Sequence, residues 1–300
     1  MYETLLVKGV ATQVFHIEPL KKSITSPLLF FVPGNPGFIQ FYETFLKTIH
    51  SKNPNVEIVG ISHKGFTDSS LSKAKYYDVA DQIEQFQQIL YHFNELQPNR
   101  PISLMGHSFG CYVIEQVVLK EPQLPYEKLH LFMPTVIDIN KSASGRKLET
   151  LNRYVPHFYL IIGWFTNIFK FLPVAVVLGI LKYVMKITAK AHVDVVYKLI
   201  RKPELASQSL FLARNEMSVI QSNWQAQKKF RALVNTHKTL KEVDYWFACK
   251  DHWVAEKTRK QLINFYKSDK KANFFISSSL KHAFPLDEEN MDYIHQRLAL

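Results

Sequence analysis

The stretch MGHSFGCY, residues 105–112, sets Ser108 between Gly106 and Gly110, directly after a short apolar run that begins at Ile102. Two readings compete for it. A serine in G-x-S-x-G can be a nucleophile on a sharp turn between strand and helix, where glycines two before and two after relieve the crowding of neighbouring side chains. It can also be a glycine-rich helix entry whose serine merely caps the helix. Context favours the first: a strand-length run precedes the motif, and Tyr112, Val113, Gln116 and Val117 continue a helical pattern over Phe109 to Lys120.

Working outward, apolar runs of strand length alternate with helical patterns. Strands are expected at Thr12 to Ile17, Leu28 to Val32, Val56 to Ser62, Ile102 to Gly106 and Leu129 to Pro134, with helices over Phe38 to His50 and Val79 to Leu96. In the second helix Val79, Ile83, Phe86, Ile89, Leu90 and Phe93 share one face. This rhythm predicts an α/β protein with a mostly parallel sheet covered on both faces. It stops near residue 136 and resumes with a strand at Glu242 to Cys249, a helix at Val254 to Tyr266, a strand at Asn273 to Ser277 and a last helix from about Asp287. The expected organisation is one core built from residues 1–138 and 236–300, with 139–235 as a cap insertion.

A serine hydroxyl is inert at its free pKa, so Ser108 needs a base and a group to orient that base. In the chain order of α/β-hydrolases the acid comes first and the histidine second, each after a late strand. VDYWFACKDHW supplies Asp251, and NFFISSSLKHAF supplies His282. Asp138, after the strand ending at Pro134, is a second acid candidate, whereas Asp244 lies inside a strand and cannot reach the loop edge. His237, His252 and His295 lack the position after the last strand. An oxyanion also needs backbone donors. FFVPGNPGFIQFY, residues 30–42, ends a strand in a proline-stiffened, glycine-rich loop, so the expected hole pairs the N–H of Phe109 with one from Gly34 or Asn35. His107 and His63 are read as pocket-shaping or structural residues. Cys111 and Cys249 have no metal-ligand spacing and no phosphate-cradling loop is present, so neither metal nor cofactor is expected.

The net charge of +11 is unevenly spread. Residues 146–202 hold ten Lys or Arg against Glu149 and Asp194, a balance of +8 that leaves +3 for the rest. Because this is also the most apolar part of the chain, its cations read as membrane-surface anchors, and nucleic acid is not an expected partner. Two cysteines are too few for a disulfide framework, and no leader pattern opens the sequence; the expected setting is a reducing compartment.

Within the insertion, Phe158 to Phe169 is twelve residues without a charge and Phe171 to Leu181 eleven more, separated by Lys170. One straight helix would reach about 36 Å, long enough to span a bilayer core. Lys170 and Pro173 at its centre, and basic residues at both ends, oppose that reading. A hairpin or pair of interfacial helices around 154–190, dipping into one leaflet through Phe158, Trp164, Phe169, Phe171 and Pro173, is expected instead. A hydrophobic lid over the active site is the alternative, and a cap can be both.

Taken together, VPGNPGFIQFYETF (32–45), GHSFG (106–110), DHW (251–253), HAF (282–284) and the proline-containing apolar insertion make the chain resemble the lipid droplet-associated hydrolases of the α/β-hydrolase superfamily. Carried over by position, the resemblance implies Ser108 as nucleophile, Asp251 as acid and His282 as base. It further implies a serine esterase of neutral lipids, sterol esters above all, on the cytosolic face of lipid droplets and the endoplasmic reticulum. Two other functions stay open: a weakly active or non-enzymatic organiser of droplets and membrane contacts, and a soluble esterase of small esters with the apolar segment as its lid.

Overall fold

The computed structural model describes residues 1–67, 76–166, 171–179 and 190–300. Its centre is an eight-stranded sheet of β1 (Tyr2–Val7), β2 (Val10–Ile17), β3 (Leu28–Val32), β4 (Glu57–Ile61), β5 (Ile102–His107), β6 (Tyr126–Phe132), β7 (Glu242–Ala248) and β8 (Ala272–Ser277). The spatial order is β1-β2-β4-β3-β5-β6-β7-β8. β1 and β2 pair antiparallel, as do β2 and β4; every other pairing is parallel. This is an α/β-hydrolase fold.

β3 shows why such strands read as unbroken apolar runs. All five of its residues are buried, Leu28, Phe30 and Val32 toward one helical layer and Leu29 and Phe31 toward the other, as the two-residue period of a strand requires. One layer contains α2 (Val79–Leu96), α3 (Phe109–Lys120) and α10 (Glu256–Tyr266); the other contains α1 (Glu43–Lys52) and α11 (Glu288–His295). α2 starts at a capping box in which Asp78 and Asp81 each accept from the other's backbone N–H, and α11 starts from Asp287, which accepts from Asn290.

The edge strand β1 is absent from the sequence reading. Its hairpin to β2 turns through Lys8 and Gly9, both at positive φ (49° and 79°), and β1 is too exposed to show a clear apolar alternation. The expected helix from Phe38 also begins differently, as a 3₁₀ turn at Ile39–Tyr42 before α1.

Between β6 and β7 come α4 (Ala143–Tyr154), α5 (Phe158–Thr166), α6 (Val174–Gly179), α7 (Lys190–Arg201), α8 (Pro203–Val219) and α9 (Trp224–Thr236). α9 belongs to the sheet's own helical layer: Phe230 and Val234 join the core, and Gln227 Nε2 donates to Glu115 of α3 at 2.8 Å. α8 is tied to the start of α2, where Tyr77 N–H donates to Gln208 Oε1 and Val79 N–H to Asn215 Oδ1, each at 2.9 Å. α5 packs on α8 through Gly163, where a β-carbon would come within 1.7 Å of Ser207 Oγ.

Among the described residues, no helix is long and apolar enough to cross a membrane. The outer side of α5 exposes Leu160, Ile161, Trp164 and Phe165, and Phe171 and Pro173 are exposed beyond it. Phe158, expected among the membrane-contacting side chains, is instead 1% exposed, because it sits on the same inward side of α5 as Tyr159 and Gly163. Phe169 and Lys170 lie outside the described residues.

Candidate active site

β3 has β4 on one side and β5 on the other, so the chain leaves this point in opposite directions and opens a crevice at the carboxyl ends of β3 and β5. Parallel register aligns these ends: Val32 faces Gly106, His107 faces Phe132, and Ala248 faces Ser277. The loops after β3, β5, β7 and β8 therefore converge.

Ser108 follows β5 at φ 52° and ψ −117°, an energetically costly conformation for a residue with a side chain. The glycines beside it answer to close approach. A β-carbon on Gly110 would lie 2.2 Å from the carbonyl oxygen of Val32, and one on Gly106 would lie 2.8 Å from Ile114 Cδ1 and 2.9 Å from the Cys111 nitrogen.

Ser108 Oγ lies 2.9 Å from His282 Nε2, and His282 Nδ1 lies 2.9 Å from Asp251 Oδ2. Asp251 Oδ1 accepts from the backbone N–H groups of Trp253 (2.7 Å) and Val254 (3.0 Å). Burial alone would raise this carboxyl; His282 and the two amides outweigh it and hold it below 3.8. The ionised carboxylate places a proton on Nδ1, so Nε2 is left to accept from the Ser108 hydroxyl.

Asp138 is not part of this constellation. It pairs with Lys141 Nζ at 2.9 Å and accepts from Ser222, with left-handed backbone at φ 55°. Asp244 is bound to His130 Nδ1 at 3.0 Å and Asn273 at 2.8 Å within the sheet. His237 and His295 bond the carbonyls of Leu124 and Phe45, and His252 is exposed.

The loop Pro33–Gly37 faces Ser108. Its Asn35–Pro36 peptide bond is cis. His63, buried and therefore held near 4 and neutral, donates from Nε2 to the Pro33 carbonyl at 2.8 Å. A β-carbon on Gly37 would lie 2.4 Å from that of His63, so the two are in direct contact. Gly34 N–H donates to Tyr42 Oη at 3.1 Å, which removes Gly34 from the expected donors for an oxyanion. The N–H of Asn35 has no acceptor among the described residues, and Phe109 opens α3, so its N–H has no intrahelical partner.

Tyr42 and His107 are the residues the sequence reading undervalued. Burial, with His282 nearby, pushes His107 down to about 3, so it is neutral. Its Nε2–H donates to the His282 carbonyl at 2.7 Å, leaving Nδ1 to accept from Tyr42 Oη at 2.7 Å. Burial pushes the Tyr42 phenol up, so it keeps the proton it donates. Pairing across 65 residues left no local signal.

Ser108, His282 and Asn35 open onto a cavity of about 380 Å³, walled chiefly by apolar side chains that include Phe41, Leu148 and Leu210. Two of these, Leu148 of α4 and Leu210 of α8, come from the insertion, which thus roofs the site.

Comparison with known proteins agrees with this architecture. At 12% identity the fold is similar to that of a haloalkane dehalogenase loop variant from Bradyrhizobium elkanii, with a TM-score of 0.69 over 99% of this chain and 95% of that one. At 14% identity it is similar to a peroxisomal alpha-beta-hydrolase from Saccharomyces cerevisiae, with a TM-score of 0.66 over 98% and 84%. In sequence, the chain is 31% identical over 178 residues to the lipid droplet-associated hydrolase of Homo sapiens, covering 54% of each chain. It is 25% identical over 199 residues to that of Drosophila melanogaster, covering 62% and 64%. The chain spans about half the length of the human relative it matches and somewhat more of the fly relative. A family model described as lipid-droplet associated hydrolase matches residues 25–285, and the chain belongs to that family.

Proposed function

We propose that the chain is a serine hydrolase of neutral lipid esters, sterol esters foremost, acting at the surface of lipid droplets and on the cytosolic face of the endoplasmic reticulum. The observation that supports this most is the continuous hydrogen-bonded line from Asp251 through His282 to Ser108 at an apolar cavity. Ser108 Oγ attacks the ester carbonyl carbon as His282 Nε2 takes its proton. The negative charge on the carbonyl oxygen is met by the N–H groups of Phe109 and Asn35. Collapse of the tetrahedral intermediate breaks the bond to the alcohol oxygen, which receives the proton from His282. Water, deprotonated by His282, then releases the acid from Ser108. Asp251 holds the imidazole in the required tautomer throughout.

A cavity of about 380 Å³ is at the small end for ligand pockets, so it takes the ester and an adjoining apolar segment while the rest of a bulky lipid stays outside. The exposed apolar side of α5 suits a phospholipid monolayer, which admits an element that enters and returns on one side. The same surface favours a second reading, a droplet-bound organiser in which chemistry is dispensable. A fluorophosphonate probe separates them: it labels the wild-type chain but not Ser108→Ala if the first is right. Absence of labelling, with no release of sterol from a sterol ester emulsion, leaves the organiser.

A further inference from the structure

The loop after β3 is held from an unexpected direction. The side chain of Asn35 commits all of its principal hydrogen bonds to α8 of the insertion. Its Nδ2 donates to the Ser209 carbonyl and to Glu216 Oε1, both at 2.9 Å, and its Oδ1 accepts from Ser209 Oγ at 2.8 Å. The partners lie 174 and 181 residues away in sequence. Glu216 is 4% exposed and lines the same cavity as Ser108 and His282. Burial raises its carboxyl to about 8, so at neutral pH it is an uncharged acid whose carbonyl-type oxygen accepts from Asn35.

We propose that Ser209 and Glu216 are positioning residues for the reaction assigned to Ser108: they fix Asn35 so that its backbone N–H, rather than that of Gly34, meets the developing oxyanion. This rests on the serine-hydrolase reading. Gly34 N–H is already given to Tyr42, Asn35 N–H is free among the described residues, and Asn35 is the only residue of Pro33–Gly37 whose side chain can form polar contacts. Holding α8 in place does not depend on Asn35, since Gln208 to Tyr77 and Asn215 to Val79 tie it independently. The Asn35 contacts are therefore the ones that reach the reaction. Losing one oxyanion donor costs roughly 100- to 1,000-fold in kcat, and a shift of about 1 Å can cost roughly 100-fold.

The test measures kcat and KM of the full chain on p-nitrophenyl butyrate, with the rate of fluorophosphonate labelling and inhibition by a trifluoromethyl ketone, which forms a tetrahedral adduct. Glu216→Leu should lower kcat about 10- to 100-fold, leave KM within about twofold and weaken the ketone in parallel. Glu216→Gln, whose amide oxygen accepts as the neutral acid does, should restore kcat to within about threefold of wild type. Asn35→Ala combined with Glu216→Leu should be no slower than Asn35→Ala alone, because both act through one N–H. If Glu216→Leu fails to fold, Ser209→Ala should still lower kcat several-fold with KM unchanged. Wild-type kcat in Glu216→Leu, a change confined to KM, or additive losses in the double variant would overturn the proposal. Failure of wild-type Ser108 to label at all overturns the serine-hydrolase reading itself, a distinct result.

Discussion

His107 Nε2 donates to the main-chain carbonyl of His282 at 2.7 Å, so the residue before the proposed nucleophile carries the loop that bears the proposed base. Through Tyr42 the same imidazole reaches Gly34, and three loops from separate strands share one polar chain.

Replacing Tyr42 by Phe removes the centre of that chain and leaves the Gly34 N–H and His107 Nδ1 buried without partners. The expected cost is about 1–3 kcal/mol of unfolding free energy, read by urea denaturation at pH 7, with slower fluorophosphonate labelling of Ser108. Equal denaturation midpoints for the two proteins would show that the chain contributes nothing.

Asp251→Asn keeps the size of the side chain but loses the charge that fixes the His282 tautomer. Hydrolysis of p-nitrophenyl butyrate should fall by roughly three to four orders of magnitude while the fold is kept. Asp138→Asn, which disturbs only the Lys141 and Ser222 contacts, should change kcat less than about threefold. A reversal of these two results would move the acid to Asp138.

Glu115 makes stability depend on pH. It is buried in the core and its carboxyl is raised from 4.5 to about 8, with Gln227 Nε2 donating to one oxygen and no partner for the other among the described residues. Between pH 4.5 and 8 the folded chain keeps this proton and the unfolded chain releases it, so this group's contribution to stability falls as pH rises, by at most about 1.4 kcal/mol per unit. Glu216 acts in the same direction over the same window, while buried His63 and His107 act oppositely below pH 6.5. Glu115→Gln isolates one term: its melting temperature relative to wild type should rise steadily from pH 5 to pH 8. A constant difference across that range would mean that Glu115 is ionised in the fold.

Trp164, 67% exposed on the outer side of α5, is suited to enter a lipid surface. Trp164→Glu should weaken adsorption to a phospholipid-coated neutral-lipid emulsion about tenfold or more, from the loss of about 1.5–3 kcal/mol of apolar burial. Flotation assays read this directly, and undiminished flotation would place the lipid contact elsewhere on the chain.

Much of the fold is legible in residue order because strands buried on both faces are written as apolar runs: the expected and observed bounds of β3 coincide, as do those of α2 and α3. Where surface chemistry intrudes, boundaries drift. Glu127 and Lys128 hide the start of β6, and the exposed β1 disappears behind a Lys-Gly turn. The uncharged run from Phe158 to Phe169 does not say which of its side chains face lipid, and only packing against α8 shows that Phe158 is inward.

The site divides along the same line. The serine turn, the glycines that permit it and the succession of Asp251 and His282 are local matters, decided by backbone sterics and by which loops follow which strands. Choosing Asp251 over Asp138 beside His282, and bringing Ser209 and Glu216 onto Asn35, depend on partners 31 to 181 residues apart. Such choices have no signature in a short window of sequence. They arise because parallel register gathers the carboxyl ends of β3, β5, β7 and β8 at one edge, and because a roof of helices from between β6 and β7 comes down on that edge with buried polar groups to satisfy.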